Sequence, residues 1–148
     1  MSGKKLQFTP GKNKDEITRI FNFENNAFAN AQDFDWTEEN IQNEIKDGWK
    51  LFSVDFEGEV VAAIFVKKTK DTLLTKNTSI KLNFQGNGFS HQIKDHYEEI
   101  AKDSGLSRIV NYCKADNFRM IALNEGHDYH RTDNELEGNI VEWEKILK

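Results

Sequence analysis

The stretch Ile80-Lys-Leu-Asn-Phe-Gln-Gly-Asn-Gly-Phe-Ser90 decides the fold. It passes from a strand-like segment into a short loop carrying Gly86 and Gly88, and then directly into an amphipathic helix. From Phe89 onward the apolar residues Phe89, Ile93, Tyr97, Ile100 and Ala101 recur at helical spacing, and Gly105 stands where a helix C-cap is wanted. A loop of backbone N–H groups that opens into a helix N-terminus is an anion site, because the unpaired first-turn amides and the helix dipole both favour negative charge. The competing reading is a plain strand-to-helix turn whose glycines supply φ > 0. The loop alone does not choose between them.

Working outward, the 148 residues suit one domain, 1–148, able to bury about two-thirds of its unfolded surface. Hydrophobic residues make up 37% and charged ones 30%, a balance for a soluble, packed core. The single cysteine, Cys113, excludes an internal disulfide and any multi-cysteine metal cluster. No apolar run approaches the roughly 20 residues of a membrane span, and Met-Ser-Gly-Lys-Lys leads into no signal-peptide core, so a cytoplasmic protein without membrane contact is expected. The net charge of −5 argues against nucleic acid as the partner. That charge is uneven: Asp15 to Glu59 holds 12 acidic and 3 basic residues, against 13 and 17 in the rest. An acidic first third attracts a cationic substrate, or else is an ordinary solvated set of helix faces.

Read in order, residues 5–9 alternate as a short strand ended by Pro10-Gly11. Asn13 and Glu16 open a first helix carrying Ile17, Ile20, Phe21 and Phe28. Thr37 caps a second helix, with Trp36 stapled onto Ile41, Ile41 and Ile45 inward, and Gly48 at its end. Trp49–Phe56 and Val60–Val66 form a hairpin across Glu57-Gly58. A third strand, Thr72–Phe84, delivers the glycine loop. After the long helix come a strand at Arg108–Cys113, a short helix capped at Asp116-Asn117, and strands at His127–Thr132 and Ile140–Leu147. The expected order is β-α-α-β-β-β-α-β-α-β-β: an α+β domain with a mixed central sheet of about seven strands flanked by four helices.

This order, with these residues, resembles the GNAT superfamily of acyl-CoA-dependent N-acetyltransferases over nearly the whole chain. The superfamily's pyrophosphate loop has the pattern Gln/Arg-x-x-Gly-x-Gly/Ala, and here Gln85-Gly-Asn-Gly88-Phe-Ser90 matches at Gln85 and Gly88, with Ser90 as a small substitute. About thirty residues on, Asp116-Asn117-Phe-Arg-Met-Ile-Ala-Leu123 matches the family's Asn at the start of the next helix. The second helix, from Trp36, and the central hairpin also look like the family's.

The resemblance implies acetyl-CoA as acyl donor, without a metal. Gln85, Gly86, Asn87, Gly88, Phe89 and Ser90 would cradle the pyrophosphate, Leu82, Asn83 and neighbouring Phe84 would pair with the pantetheine as an added strand, and Asn117 would bond the pantetheine arm. It implies attack of a neutral primary amine on the thioester in a ternary complex, with backbone N–H groups before the loop stabilising the oxyanion. The acceptor would be a cationic small molecule or a protein amine, and the chain a monomer or homodimer. The family often places a Tyr acid on the second helix after the loop, where this chain has Asn124, which cannot act as an acid. Asn124, Tyr112 and Tyr129 are therefore the catalytic candidates, with His127 a further base, and no choice among them follows from sequence. The alternative is a catalytically weak GNAT-fold module that binds CoA or a protein partner. His91 and His96 do not share a helix face, and His127 and His130 fall on opposite faces of the expected strand, so no metal site is expected.

Overall fold

The computed structural model describes residues 5–10, 38–77, 80 and 84–147. Seven strands form one sheet: β1 (Gln7–Pro10), β2 (Lys50–Phe56), β3 (Glu59–Thr69), β4 (Thr72–Asn77), β5 (Arg108–Lys114), β6 (His130–Leu136) and β7 (Ile140–Ile146). Three helices are described, α1 (Glu38–Lys46), α2 (Phe89–Asp103) and α3 (Phe118–Gly126). The helix expected from Asn13 to Phe28 lies outside the described residues, as do Thr37 and Trp36. The sheet order is β1-β2-β3-β4-β5-β7-β6. Every pairing is antiparallel except β4 with β5. An α+β fold with a mixed sheet is what the sequence predicts. No helix among the described residues is long and apolar enough to cross a membrane.

The strands follow their chemistry. Pro10 is tolerated within β1 because β1 is an edge strand, where one row of N–H groups has no ladder partner. Glu57 (φ 51) and Gly58 (φ 84) give the two left-handed residues that a tight hairpin requires. β3 is apolar on both faces because both are covered. Ala62, Ile64 and Val66 belong to the cluster that also holds Phe89, Ile93, Tyr97 and Ala101 of α2. Ala63 and Phe65 pack with Ile41 of α1 and with Leu51. Burial of each large apolar side chain at about 1.5–3 kcal/mol is what fastens α2 to the sheet.

Several boundaries differ from expectation, β3 running on to Thr69 and β6 to Leu136, and two of the differences bear on the site. The third strand does not reach Phe84: β4 ends at Asn77, and Phe84 begins the tight turn into the loop. The strand expected from His127 begins at His130 instead. His127, Asp128 and Tyr129 are consumed in ending α3: His127 N–H donates to the carbonyls of Leu123 and Asn124, Asp128 N–H to Glu125, and Tyr129 N–H to Asn124, with Asp128 left-handed at φ 67.

The feature that positions the site is the parting of β4 from β5. Their parallel ladder runs from Thr72–Arg108 to Thr75–Asn111 and stops. β4 continues to Asn77 on β3, opposite Ile64, while β5 continues to Lys114 on β7, opposite Ile140. A V-shaped opening is left between them.

Candidate acyl-CoA site

The turn at 84–88 is held from within. Asn87 Nδ2 donates to the carbonyl of Phe84 at 3.1 Å, and Gln85 Nε2 donates to the carbonyl of Ile80 at 2.8 Å. Gln85 Oε1 accepts from Arg119 at 2.7 Å, which ties the loop to α3. Gly86 (φ 84) and Gly88 (φ 76) are both left-handed, and no atom stands within 4 Å of where a Cβ would lie at either. Glycine is required here by backbone conformation, and open space lies in front of it. Gly88 is the N-cap of α2 with no side-chain cap, and no acidic residue occupies the first turn. Among the described residues, the first-turn amides at this helix end have no side-chain cap.

Loop, α2 and α3 enclose a cleft of about 400 Å³ at the mouth of the β4–β5 opening. Gly86, Gly88, Ser90 and His91 line one wall, Asn117, Arg119, Met120 and Leu123 the other, and Asn77 and Ile80 the inner end. Of the residues expected to hold the cofactor, Phe84, Gln85, Gly86, Gly88, Phe89, Ser90 and Asn117 all border this cleft. Asn87 is turned onto Phe84 instead. Leu82 and Asn83 lie outside the described residues. Asn117 is also the N-cap of α3, its Oδ1 accepting from Met120 N–H at 3.1 Å.

The expected catalytic residues are placed differently. Asn124 is wholly buried: its Oδ1 accepts from Lys94 Nζ, and its Nδ2 donates to Asn111 Oδ1 at 3.2 Å. Asn111 Nδ2 in turn donates to Thr75 Oγ1 at 3.2 Å, and that hydroxyl donates to the carbonyl of Val110 at 2.7 Å. Tyr129 is buried, its hydroxyl without a hydrogen-bond partner among the described residues. Burial, then Glu98, pushes its phenol up. Tyr112 alternates with Asn111 and so points from the other sheet face, opposite Glu142 on β7. Burial, then Glu142, raises its phenol too. None of the three lines the cleft.

His91, on the cleft wall, approaches His127 with Nδ1 and Nε2 2.8 Å apart. Burial, then His91, lowers the His127 imidazole. Asp95, Glu98 and His127 bring one ligand atom each within 4.8 Å of one another, a grouping absent from the sequence argument, which weighed only histidine pairs. Glu98 is already paired there with Lys145 at 3.0 Å.

Sequence reasoning also missed Lys94. It lies inside the apolar stripe of α2, between Ile93 and Tyr97, and a charged residue within such a stripe is a signal that could have been read. Lys94 is 1% exposed, and burial pushes its amine down from 10.5 to about 7.

No family model matches the sequence, and no curated protein does. Solved structures do. The ribosomal-protein-S18-alanine N-acetyltransferase of Escherichia coli superposes with a TM-score of 0.75 at 14% identity, covering 97% of this chain and 95% of that one. A Bacillus subtilis acetyltransferase in complex with CoA gives 0.69 at 17% identity, over 97% and 100% of the two chains. A ribosomal L7/L12 alpha-N-protein acetyltransferase in complex with coenzyme A gives 0.73 at 15% identity, over 99% and 96%. With the glycine loop, the parted strands and the capped helix in the positions that the motifs predict, the fold of this chain is that of the GNAT acetyltransferases.

Proposed function

We propose that the protein is an N-acetyltransferase that moves an acetyl group from acetyl-CoA to a primary amine by direct attack within a ternary complex. The observation that carries the reading is the cleft itself. An uncapped helix N-terminus behind two left-handed glycines opens onto the point where β4 and β5 part. The residues fit the donor's chemistry. The amides at Gly88–Ser90 and the guanidinium of Arg119 suit a pyrophosphate, and the exposed ladder edges of β4 and β5 suit the amides of pantetheine. Acetyl-CoA supplies the activated acyl group. The chain supplies anion binding, alignment along the parted strands, and a partly apolar cleft.

A cationic acceptor is favoured by the acidic first third of the sequence. On the sheet face opposite α2, the Glu142 carboxylate is already paired with Arg108 at 3.6 Å and adds nothing to that preference. It is 8% exposed, accepts from Thr132 Oγ1 at 2.9 Å and Asn134 Nδ2 at 3.0 Å, and stands beside Tyr112. Two of the similar structures are named for acetylation of ribosomal proteins, so a protein amine ranks with a small one as acceptor.

The test is release of CoA thiol from acetyl-CoA in the presence of a polyamine, an aminoglycoside or a peptide with a free N-terminus. Release that depends on the amine, and rises with pH as the amine loses its proton, supports the enzyme. Binding of acetyl-CoA without release by any amine supports a module that binds CoA without catalysis. The burial of Asn124, which leaves no acid from that position facing the cleft, favours this second reading.

A further inference from the structure

The glycine loop and the start of α2 form one wall of the cleft, α3 forms the other, and two side-chain contacts tie the walls together. Arg119 meets Gln85 just before the glycines, and His127, which ends α3, meets His91 just after them. Along α3 the two contacts stand roughly 12 Å apart at about 1.5 Å per residue. The first helical bond of α2 runs from Gln92 N–H to the carbonyl of Gly88. The amides of Phe89 and Ser90 therefore lie ahead of the ladder, in the chain between the two contacts. His91 itself lines the cleft, one turn above Gly88, and helical side chains lean toward the N-terminus, over those amides. Its Nδ1 is committed to His127 Nε2 at 2.8 Å, so Nε2 is the ring nitrogen left to the cleft.

A bond between two neutral imidazoles uses one proton, and each ring carries one. If His127 Nε2 donates, the His91 proton sits on Nε2 and faces the cleft as a donor. If His91 Nδ1 donates, Nε2 presents a lone pair that repels an anion. Charge decides between them. On the His127 side stand the carboxylates of Asp95 and Glu98, within 4.8 Å, which draw a proton to the outer nitrogen of His127. Glu98 is paired with Lys145 at 3.0 Å, and Lys94 and Lys145 act on His127 against Asp95. On the cleft side stands Arg119, and no carboxylate lines the cleft. A phosphate seated there draws the proton to His91 Nε2. We propose that His91 is a binding residue for the pyrophosphate of the acyl donor, its Nε2–H donating to a phosphate oxygen beside the Phe89 and Ser90 amides, and that His127 is the positioning residue that keeps the His91 proton on that nitrogen. This rests on the acetyltransferase reading above. Arg119 and His91 then hold the anion from the two ends of the glycine loop, one by charge and the other by a directed hydrogen bond.

The test needs no acceptor. Isothermal titration at about pH 8.5, well alkaline of an ordinary imidazole, compares wild type, His91→Phe, His91→Gln and His127→Phe. His91 is exposed and His127 half-buried, so none of these changes empties the core. Acetyl-CoA should bind His91→Phe about tenfold more weakly, as loss of one hydrogen bond to a charged group implies. His91→Gln keeps an N–H donor and should recover part of the loss, and His127→Phe should fall between wild type and His91→Phe. The loss should be the same for 3′-dephospho-acetyl-CoA, because the pyrophosphate is common to both donors. Nitrogen NMR of the wild-type complex should show His91 protonated at Nε2 and bare at Nδ1, and a mixture of the two forms in His127→Phe. Equal affinity of wild type and His91→Phe, or a complex in which His91 carries its proton on Nδ1, would overturn the inference alone. A loss confined to the 3′-phosphorylated donor would also overturn it, by moving the contact off the pyrophosphate. Failure of wild type to bind acetyl-CoA would overturn the acetyltransferase reading and this inference together.

Discussion

Lys94 of α2 and Asn124 of α3 are joined by a hydrogen bond from ammonium to amide oxygen, and both are sealed from solvent. A lysine is one of the most costly residues to bury, and an amine pushed down to about 7 is the physical response.

Replacing Lys94 by Met should therefore stabilise the protein at neutral pH. The amine holds its proton up to 10.5 when unfolded but only to about 7 when folded. The unfolded chain binds the extra proton between those values, so wild-type stability should climb as pH rises from about 7 toward 10.5. The penalty is full below 7. At about 1.4 kcal/mol per unit the cost near pH 7 is a few kcal/mol, against about 1–3 kcal/mol for leaving Asn124 Oδ1 unpartnered. Denaturant melts across pH 6–10 should show Lys94→Met more stable than wild type at pH 7, with a flatter pH dependence. A variant that is less stable at pH 7 would contradict this account of the buried amine.

Asn117 has two tasks that substitution can separate. Asn117→Ala removes the cap on Met120 N–H and should cost about 1 kcal/mol, or roughly 2–4 °C in Tm for a chain of this size. Asn117→Asp keeps the cap but adds a negative charge to the cleft wall. It should melt like wild type yet bind acetyl-CoA more weakly, as calorimetry would show.

The His91–His127 contact needs at least one neutral ring, because the hydrogen bond requires an acceptor nitrogen. His127 should titrate below 6.5 by NMR, from burial first and His91 second. Its folded value is lowered, so the unfolded chain binds the proton more readily and this contribution to stability fades as pH falls below 6.5. In His91→Ala the His127 value should rise while staying under 6.5. An unchanged value would remove His91 as a cause.

Arg119 bonds Gln85 and lines the cleft. Arg119→Ala should weaken acetyl-CoA binding several-fold and reduce its salt dependence, with little change in Tm, because exposed pairs contribute about 0–1 kcal/mol. Isothermal titration at two salt concentrations separates these effects.

Much of this was legible in sequence where local rules and packing agree. The stripe from Phe89 to Ala101, the Glu57-Gly58 turn and the doubly apolar β3 each specify their element from residue chemistry alone. The glycine loop and Asn117 were legible as motif, and both border the cleft. What escaped depends on contacts distant in sequence. The end of β4 at Asn77 follows from the departure of β5, 36 residues away in the Thr75–Asn111 pair. The start of β6 was displaced because α3 claims the backbone of His127 to Tyr129 for its own end. Asn124 reads as a missing acid in sequence, whereas its amide is committed to a lysine 30 residues earlier. A polar chain across four elements leaves no periodic trace.

The most direct test of the central claim is thermal unfolding with and without acetyl-CoA for wild type, Gly88→Ala and Gly88→Trp. Alanine isolates the strain of a left-handed φ, since nothing crowds its Cβ, while tryptophan also fills the cleft. Acetyl-CoA at about 100 times its dissociation constant should add roughly 2.7 kcal/mol, a shift of about 5–10 °C. The account predicts that shift in wild type, most of it in Gly88→Ala, and none in Gly88→Trp. No shift in well-folded wild type at millimolar acetyl-CoA, or an equal shift in Gly88→Trp, would contradict it.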